Sequence, residues 1–489
     1  MKKILKFALV TLAAIVVEHP ADAQWTGPKS KPTKEVEVKY GTLTPPHRTD
    51  ADMEAFRSYG LGQFIHWGIY SIAGNEWNGV SARGGAAASE WIRSWGGPTA
   101  PKDWAKTYDN LYKQFNPKNF DAKRWAKQAK DMGAKYVIFT TKHHDGFAMF
   151  DTKQSDFSIA KGPFSTNAKK DVAKYVFDAF RKQNFMIGAY FSKPDWHSQY
   201  YWWDKYATAN RNNNYDIRKN PWRWNMFKSY TQNQIGELMN NYGSIDILWL
   251  DGGWVRPLAS VNEEVLSWGA PIPEWSQDID MPKIAADARK AQPGLIVVDR
   301  TVHGQFENYQ TPEQKIPEKQ LDYPWESCMT LGGAWGFVPN DQYKSAGEVV
   351  HKLVEIVAKG GSLLLGIGPK ADGTLPDHVI TRLDDIGKWT SKNGVAIYGT
   401  RITKNYHDGQ NWFTQSKDGK TIYGISLIGN TTNKEISWQG SIPKKGSLIT
   451  ILSTNQKVKW TLKDGKVHFD FPKTEEKIAL TFSFTPETK

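Results

Sequence analysis

Cysteine is almost missing from this chain of 489 residues, which carries one, Cys328. A single thiol excludes an internal disulfide and a thiolate metal cluster. Beyond the first twenty residues no uninterrupted apolar run approaches ~18 residues, so no membrane-spanning helix is expected. No Gly-x-Gly-x-x-Gly turn follows a strand-like segment and no Walker loop occurs, which weakens a nucleotide-binding reading. There is no internal repeat and no low-complexity segment. The formal charge is +12, but the lysines are scattered among acids and form no block, which argues against nucleic acid as a partner. There is no His-x3-His pair or cysteine set to complete a zinc site either, and no cofactor is expected.

The amino terminus is distinctive. Lys2, Lys3 and Lys6 precede an apolar run from Phe7 to Val17, which ends at Ala21-Asp22-Ala23. This is the pattern of a secretory signal peptide over residues 1–23, and it predicts export to the periplasm or the exterior, in a bacterium by the look of Met-Lys-Lys. No cysteine follows the expected cleavage site, which argues against a lipid anchor.

Aromatic residues are abundant, with 22 Trp, 20 Tyr and 22 Phe. Indole faces stack on sugars and also fill ordinary cores, so the count alone decides nothing. Short apolar runs end abruptly in polar residues: 62–66, 135–141, 186–192, 245–251, 295–299 and 362–368. Continuous runs of this length suit strands buried on both faces of a parallel sheet. Helical spacing lies between them, over 120–132, 171–182, 227–242 and 347–358. The alternation, with several strands ending in polar groups, predicts an α/β fold, a (β/α)8-like barrel over residues 24–394. From residue 395 the chain reads as alternating strands with Lys417-Asp418-Gly419 and Lys463-Asp464-Gly465 turns, a C-terminal antiparallel β-sandwich over 395–489.

Three strand ends carry candidate chemistry. Ile245 to Asp251 delivers a carboxylate followed by Gly252-Gly253; the same residues also suit a turn or a helix cap. Lys142-His143-His144-Asp145 ends another strand. Adjacent residues on a regular strand point to opposite faces, so both histidines meet one ligand only where the strand has already ended. His66-Trp67 ends the first strand and offers a polar edge beside a stacking face. A glycosidase needs two carboxylates, and Glu307, Glu313 and Glu326 stand downstream of Asp251 as possible partners that spacing alone does not separate.

In order and spacing, Phe64 to Gly68, Ser89-Glu90-Trp91, Phe115-Asn116-Pro117, Lys142 to Phe147, Asp156-Phe157, Ile247 to Trp254, Val298-Asp299-Arg300, Trp325-Glu326, Trp335-Gly336, Leu363-Leu364-Leu365, Gly368-Pro369 and Asp372-Gly373 resemble the α-L-fucosidase family of retaining glycosidases. The resemblance implies a barrel followed by a sandwich, no metal, and hydrolysis of terminal α-L-fucosyl linkages with retention. It implies Asp251 as nucleophile and a fucose pocket lined by His66, Glu90, Trp91, His143, His144, Tyr190, Trp254 and Trp335. The acid/base implied is Glu313, with Glu307 the alternative; Asp299 is a third candidate, expected instead to pair with Arg300 or cap its strand. The expected partner is a fucosylated oligosaccharide or glycoconjugate, whose linkage would be chosen by loops such as the Gly- and Ala-rich stretch 79–88. Two other readings remain open from the residues. One is a non-catalytic fucose-binding protein on the same scaffold. The other is a metal-dependent hydrolase resting on His143, His144 and Asp145.

Overall fold

The computed structural model describes residues 50–487 apart from 83–87, 208–210, 305, 322 and 430–434. The expected signal peptide lies outside these residues, and the stretch 79–88 does so in part.

Seven strands form one parallel sheet: β1 Leu61–Ile65, β2 Tyr136–Lys142, β3 Met186–Ser192, β4 Ile247–Asp251, β5 Ile296–Asp299, β6 Glu326–Thr330 and β7 Ser362–Ile367. Their order across the sheet is β5-β4-β3-β2-β1-β7-β6. Every residue of β1, β2 and β7 is buried, which is the two-sided burial that apolar runs anticipate. Alternate residues supply two cores. Phe64, Ile138, Tyr190, Trp249 and Val298 gather on the concave face. Ile65, Phe139, Leu248 and Leu365 meet helices on the other, among them α1 Ala122–Met132, α2 Val172–Arg181, α3 Pro221–Asn241 and α5 Ala346–Ala358.

The two edge strands, β5 and β6, are joined by one segment. Asn308 N–H donates to Val297 O at 2.7 Å, and Gln314 N–H donates to Cys328 O at 2.9 Å. The backbone groups that a half-closed sheet would leave unpaired at its edges are thus partly satisfied by residues 308–314.

Several boundaries differ from expectation for local reasons. Helix α3 starts at Pro221, six residues before the expected Phe227, because Pro fits the first helical turn, where its missing N–H leaves no bond unmade. Helix α4 Met281–Ala291 is capped by Asp280, whose side chain accepts from Lys283 N–H. Neither it nor α6 Asp377–Asn393 is evident from periodicity. Strand β6 was concealed by its polar sequence, Glu-Ser-Cys-Met-Thr, although all five residues are buried.

After α6 the chain turns antiparallel. A six-stranded sheet holds Thr400–Asp408, Asn411–Ser416, Ile422–Leu427, Ala479–Phe484, Ile449–Ile451 and Lys457–Val458 in that order. A three-stranded sheet holds Glu435–Gln439, Lys466–Asp470 and Thr461–Lys463. Lys457–Val458 and Thr461–Lys463, close in sequence, therefore belong to different sheets. Phe413, Trp438, Phe469 and Phe482 form one core between them. Asp464 and Gly465 both take positive φ, 51° and 74°, in the two-residue turn between Lys463 and Lys466, as a type I′ hairpin requires. This region is tied to the helices by His351 Nε2 to Ile478 O at 2.8 Å and by Trp389 Nε1–H donating to Ala479 O at 3.2 Å.

Candidate active site

The carboxyl ends of β1 to β4, with the segments that follow β5 and β6, enclose a cavity of about 570 Å³. Asp251, His66, His143, His144 and Tyr190 line its floor, and Glu90, Trp91, Trp254, Trp335 and Glu313 line its walls. The structure thus gathers all of these residues around one space.

Asp251 is the last residue of β4. The two glycines after it are required by crowding. A Cβ on Gly252, whose φ is +82°, would lie 2.2 Å from Pro194, and one on Gly253 would lie 2.0 Å from the Thr301 hydroxyl. Both carboxylate oxygens of Asp251 accept. Arg300 Nη1–H donates to Oδ1 at 2.9 Å, and Tyr190 Oη–H donates to Oδ2 at 2.8 Å. Burial opposes ionisation of Asp251, but the Arg300 guanidinium outweighs it and holds the carboxyl well below its usual range. Its carboxylate form is the favoured one.

The histidines behave in the opposite sense. β2 ends at Lys142, so alternation no longer separates His143 from His144, and their ring centroids lie 4.2 Å apart. Burial lowers His66 to about 3 and His144 to about 4, and pushes His143 down as well. All three are neutral imidazoles. Nδ1 of each is buried and has no hydrogen-bond partner among the described residues. All three rings line the cavity, and a neutral imidazole carries one donor and one acceptor nitrogen, which suits a ligand rich in hydroxyls. Stacking faces lie beside them: Trp335 is stacked on His66 at 4.9 Å, and Trp254 meets His144 edge-on at 5.0 Å.

The carboxylates downstream of Asp251 separate clearly. Glu313, 40% exposed, lines the cavity, accepting Arg300 Nη2–H at 2.6 Å and Trp335 Nε1–H at 2.9 Å. Glu307 does not reach the cavity; it is buried against His303 Nδ1 at 2.8 Å. Glu326 lies under the floor, accepting from Tyr136 Oη at 2.7 Å and Trp249 Nε1 at 3.2 Å. Asp299 corrects another expectation: it pairs with buried Lys193 at 2.6 Å and not with Arg300, because consecutive residues at a strand end point to opposite sides. Arg300 is a cavity residue that sequence reasoning passed over. Its signal was its place immediately after a strand end, facing the side on which Asp251 emerges. Glu90, fully buried, has its carboxyl pushed up to about 7 by burial.

His143, His144 and Asp251 bring one potential metal-ligand atom each within 4.8 Å of the others. The donor set fits a divalent cation poorly, since Arg300 already supplies a positive charge to Asp251 and Tyr190 occupies its second oxygen. Asp145, the third residue of the metal reading, is turned away, accepting Tyr108 Oη–H at 2.7 Å.

The α-L-fucosidase sequence family matches residues 30–395. The chain belongs to the α-L-fucosidase family. It is 28% identical to the alpha-L-fucosidase of Dictyostelium discoideum, over 75% of this chain and 76% of that one. Among solved structures it resembles a bacterial fucosidase bound to a monovalent iminocyclitol inhibitor, with a TM-score of 0.76, 26% identity, and coverage of 92% of this chain and 99% of that one. It also resembles an α-L-fucosidase from Bacteroides thetaiotaomicron solved as a trapped covalent intermediate with 2-fluoro-fucosyl fluoride, with a TM-score of 0.73, 25% identity, and coverage of 91% and 99%. Within the family match lie every strand of the parallel sheet and every cavity residue named above.

Proposed function

We propose that the chain is an exo-acting, retaining α-L-fucosidase that releases terminal α-L-fucose from glycans. The observation that carries the reading is the pairing, in one cavity, of an ionised Asp251 with three neutral imidazoles that can hydrogen-bond sugar hydroxyls. A lectin needs the second feature and not the first.

In the first step Asp251 attacks the anomeric carbon and forms a C–O bond as the bond to the leaving oxygen breaks. Glu313 gives its proton to that oxygen. In the second step Glu313 takes a proton from water, whose oxygen displaces Asp251 and releases fucose. Arg300 and Tyr190 fix the attacking carboxylate. Each Glu313 oxygen accepts one hydrogen bond, from Arg300 or Trp335, and keeps a second lone pair for the proton that passes to the glycosidic oxygen. With substrate in place the two carboxyl groups should stand roughly 5–5.5 Å apart, the spacing that leaves no room for an intervening water. Neutral His66, His143 and His144 hold ring hydroxyls, and an indole face packs on the C6 methyl.

The same reading treats the curled sheet as a (β/α)8-like barrel, residues 308–314 standing in the gap between β5 and β6, and the antiparallel sheets after residue 395 as a sandwich domain packed against it. It takes residues 1–23 as a signal peptide and the mature enzyme as exported.

The test is release of 4-nitrophenol from 4-nitrophenyl α-L-fucoside by the wild type, Asp251→Ala and Glu313→Ala, each with and without azide. Turnover by the wild type, loss in both variants and formation of β-L-fucosyl azide by Asp251→Ala support the mechanism. Near-normal Glu313→Ala would remove its role. No wild-type turnover on this substrate or on fucosylated glycans would leave a fucose-binding protein.

A further inference from the structure

A second cavity, of about 370 Å³, adjoins the first and shares only part of its wall. Glu90, Trp91, Arg211, Glu313, Gln314 and Trp335 border both spaces, whereas Asp251, the three histidines and Tyr190 border the first alone. A retaining glycosidase places its nucleophile and its acid on opposite sides of the anomeric carbon, so the leaving group lies where the acid is and the nucleophile is not. The second cavity meets that condition.

We propose that this cavity holds the hexopyranose to which the fucose is attached, and that Trp95 is the platform on which that ring lies. The inference rests on the fucosidase reading above and deepens it. Trp95 lines the second cavity and not the first. Its ring is stacked with Trp91 at 5.5 Å and 26°, which fixes its orientation, and Trp91 in turn packs edge-on against Trp196 at 5.0 Å. An oriented indole face is the surface that the apolar side of a pyranose requires. Facing groups are polar. Gln314, in a left-handed conformation at φ 55°, is fixed by Thr330, which receives its Nε2–H at 3.2 Å and donates N–H to its Oε1 at 3.3 Å. The cavity therefore offers one stacking wall and one amide edge, and its mouth opens beside the acid.

The substrate this selects is a fucosylated oligosaccharide rather than a fucoside of a small alcohol. The experiment compares α-L-fucosyl fluoride, whose leaving group is one atom and leaves the second cavity unoccupied, with a fucosylated trisaccharide, chosen as the one the wild type cleaves fastest. The wild type, Trp95→Ala and Trp95→Phe are assayed on both. The expected result is a fall in kcat/KM of about 10-fold for the trisaccharide in Trp95→Ala, the scale of one lost stacking contact, with the fluoride changed less than about 2-fold. Trp95→Phe should keep most of the trisaccharide activity, and the defucosylated disaccharide should inhibit the wild type more strongly than Trp95→Ala. Equal losses on both substrates would mark Trp95 as a structural residue and overturn the proposal, as would no loss on either. Wild type inactive on the fluoride would overturn the fucosidase reading itself, and this inference with it.

Discussion

Arg300 Nη1 lies 2.9 Å from Asp251 Oδ1, and the other arm of the same guanidinium lies 2.6 Å from Glu313. One cation therefore spans the nucleophile and the acid/base of the proposed reaction. Its delocalised fork suits this bridging in a way that a point charge does not. Replacing it, as in Arg300→Gln, removes the charge that offsets the burial of Asp251. The expected outcome is a loss in kcat/KM on the order of 10²-fold, the cost of misplacing a reacting group. The acid limb of the pH–rate profile should also move to higher pH, because the carboxyl is no longer held down. Steady-state kinetics from pH 3 to 7 check both.

The segment after Arg300 carries two non-glycine residues in the left-handed region, Thr301 at φ 65° and His303 at φ 57°. Such strain persists only where the surroundings hold it. His303 is held from both sides, by Glu307 at 2.8 Å and Glu264 at 2.6 Å, and these carboxylates overcome burial to raise it to about 10. A folded-state value above the ordinary 6.5 means a stabilisation fully present below pH 6.5 and lost as pH rises through about 10. The melting temperature of His303→Gln should therefore fall furthest below wild type near pH 6, and the gap should narrow toward pH 10. A gap independent of pH would contradict the doubly paired imidazolium.

Glu326 gives the opposite test. Burial outweighs its hydrogen bonds from Tyr136, Trp249 and Tyr309 and raises its carboxyl to about 7. Stability tied to its protonated form is present below its ordinary 4.5 and is lost as pH rises through 7. Glu326→Gln does not titrate, so its melting temperature should gain on that of the wild type between about pH 4.5 and 7. Thermal denaturation across this range reads the effect.

Chelation should leave the activity unchanged. Arg300 and Tyr190 together bond both oxygens of Asp251, so the close triad of metal-type ligands found among the described residues is already satisfied at its carboxylate. Assay after exhaustive dialysis against EDTA, with and without added Zn²⁺, checks this. Loss on chelation with recovery on Zn²⁺ would favour the metal-dependent reading.

What was legible in the sequence follows from locality. Asp251, His66, His143 and His144 each sit at or just past the end of an apolar run, so the run announces both the strand and the exit point of the side chain. The parallel sheet was legible for the same reason. Glu313 was not separable from Glu307 or Glu326, because each is placed by a distant partner: Trp335 and Arg300 for Glu313, His303 for Glu307, and Tyr136 with Trp249 for Glu326. Strand β6 escaped for a related reason, since its polar residues are buried through long-range bonds that no local pattern records. The pairing of Asp299 with Lys193 joins residues 106 positions apart.

The most direct test of the account is to treat the wild-type enzyme with 2-deoxy-2-fluoro-L-fucosyl fluoride, digest it and locate the modified peptide by mass spectrometry. The account predicts a single 2-fluorofucosyl ester on Asp251, formed as activity is lost. An ester on another carboxylate, or turnover of α-L-fucosides with no adduct and with β-L-fucose as the first product, would contradict it.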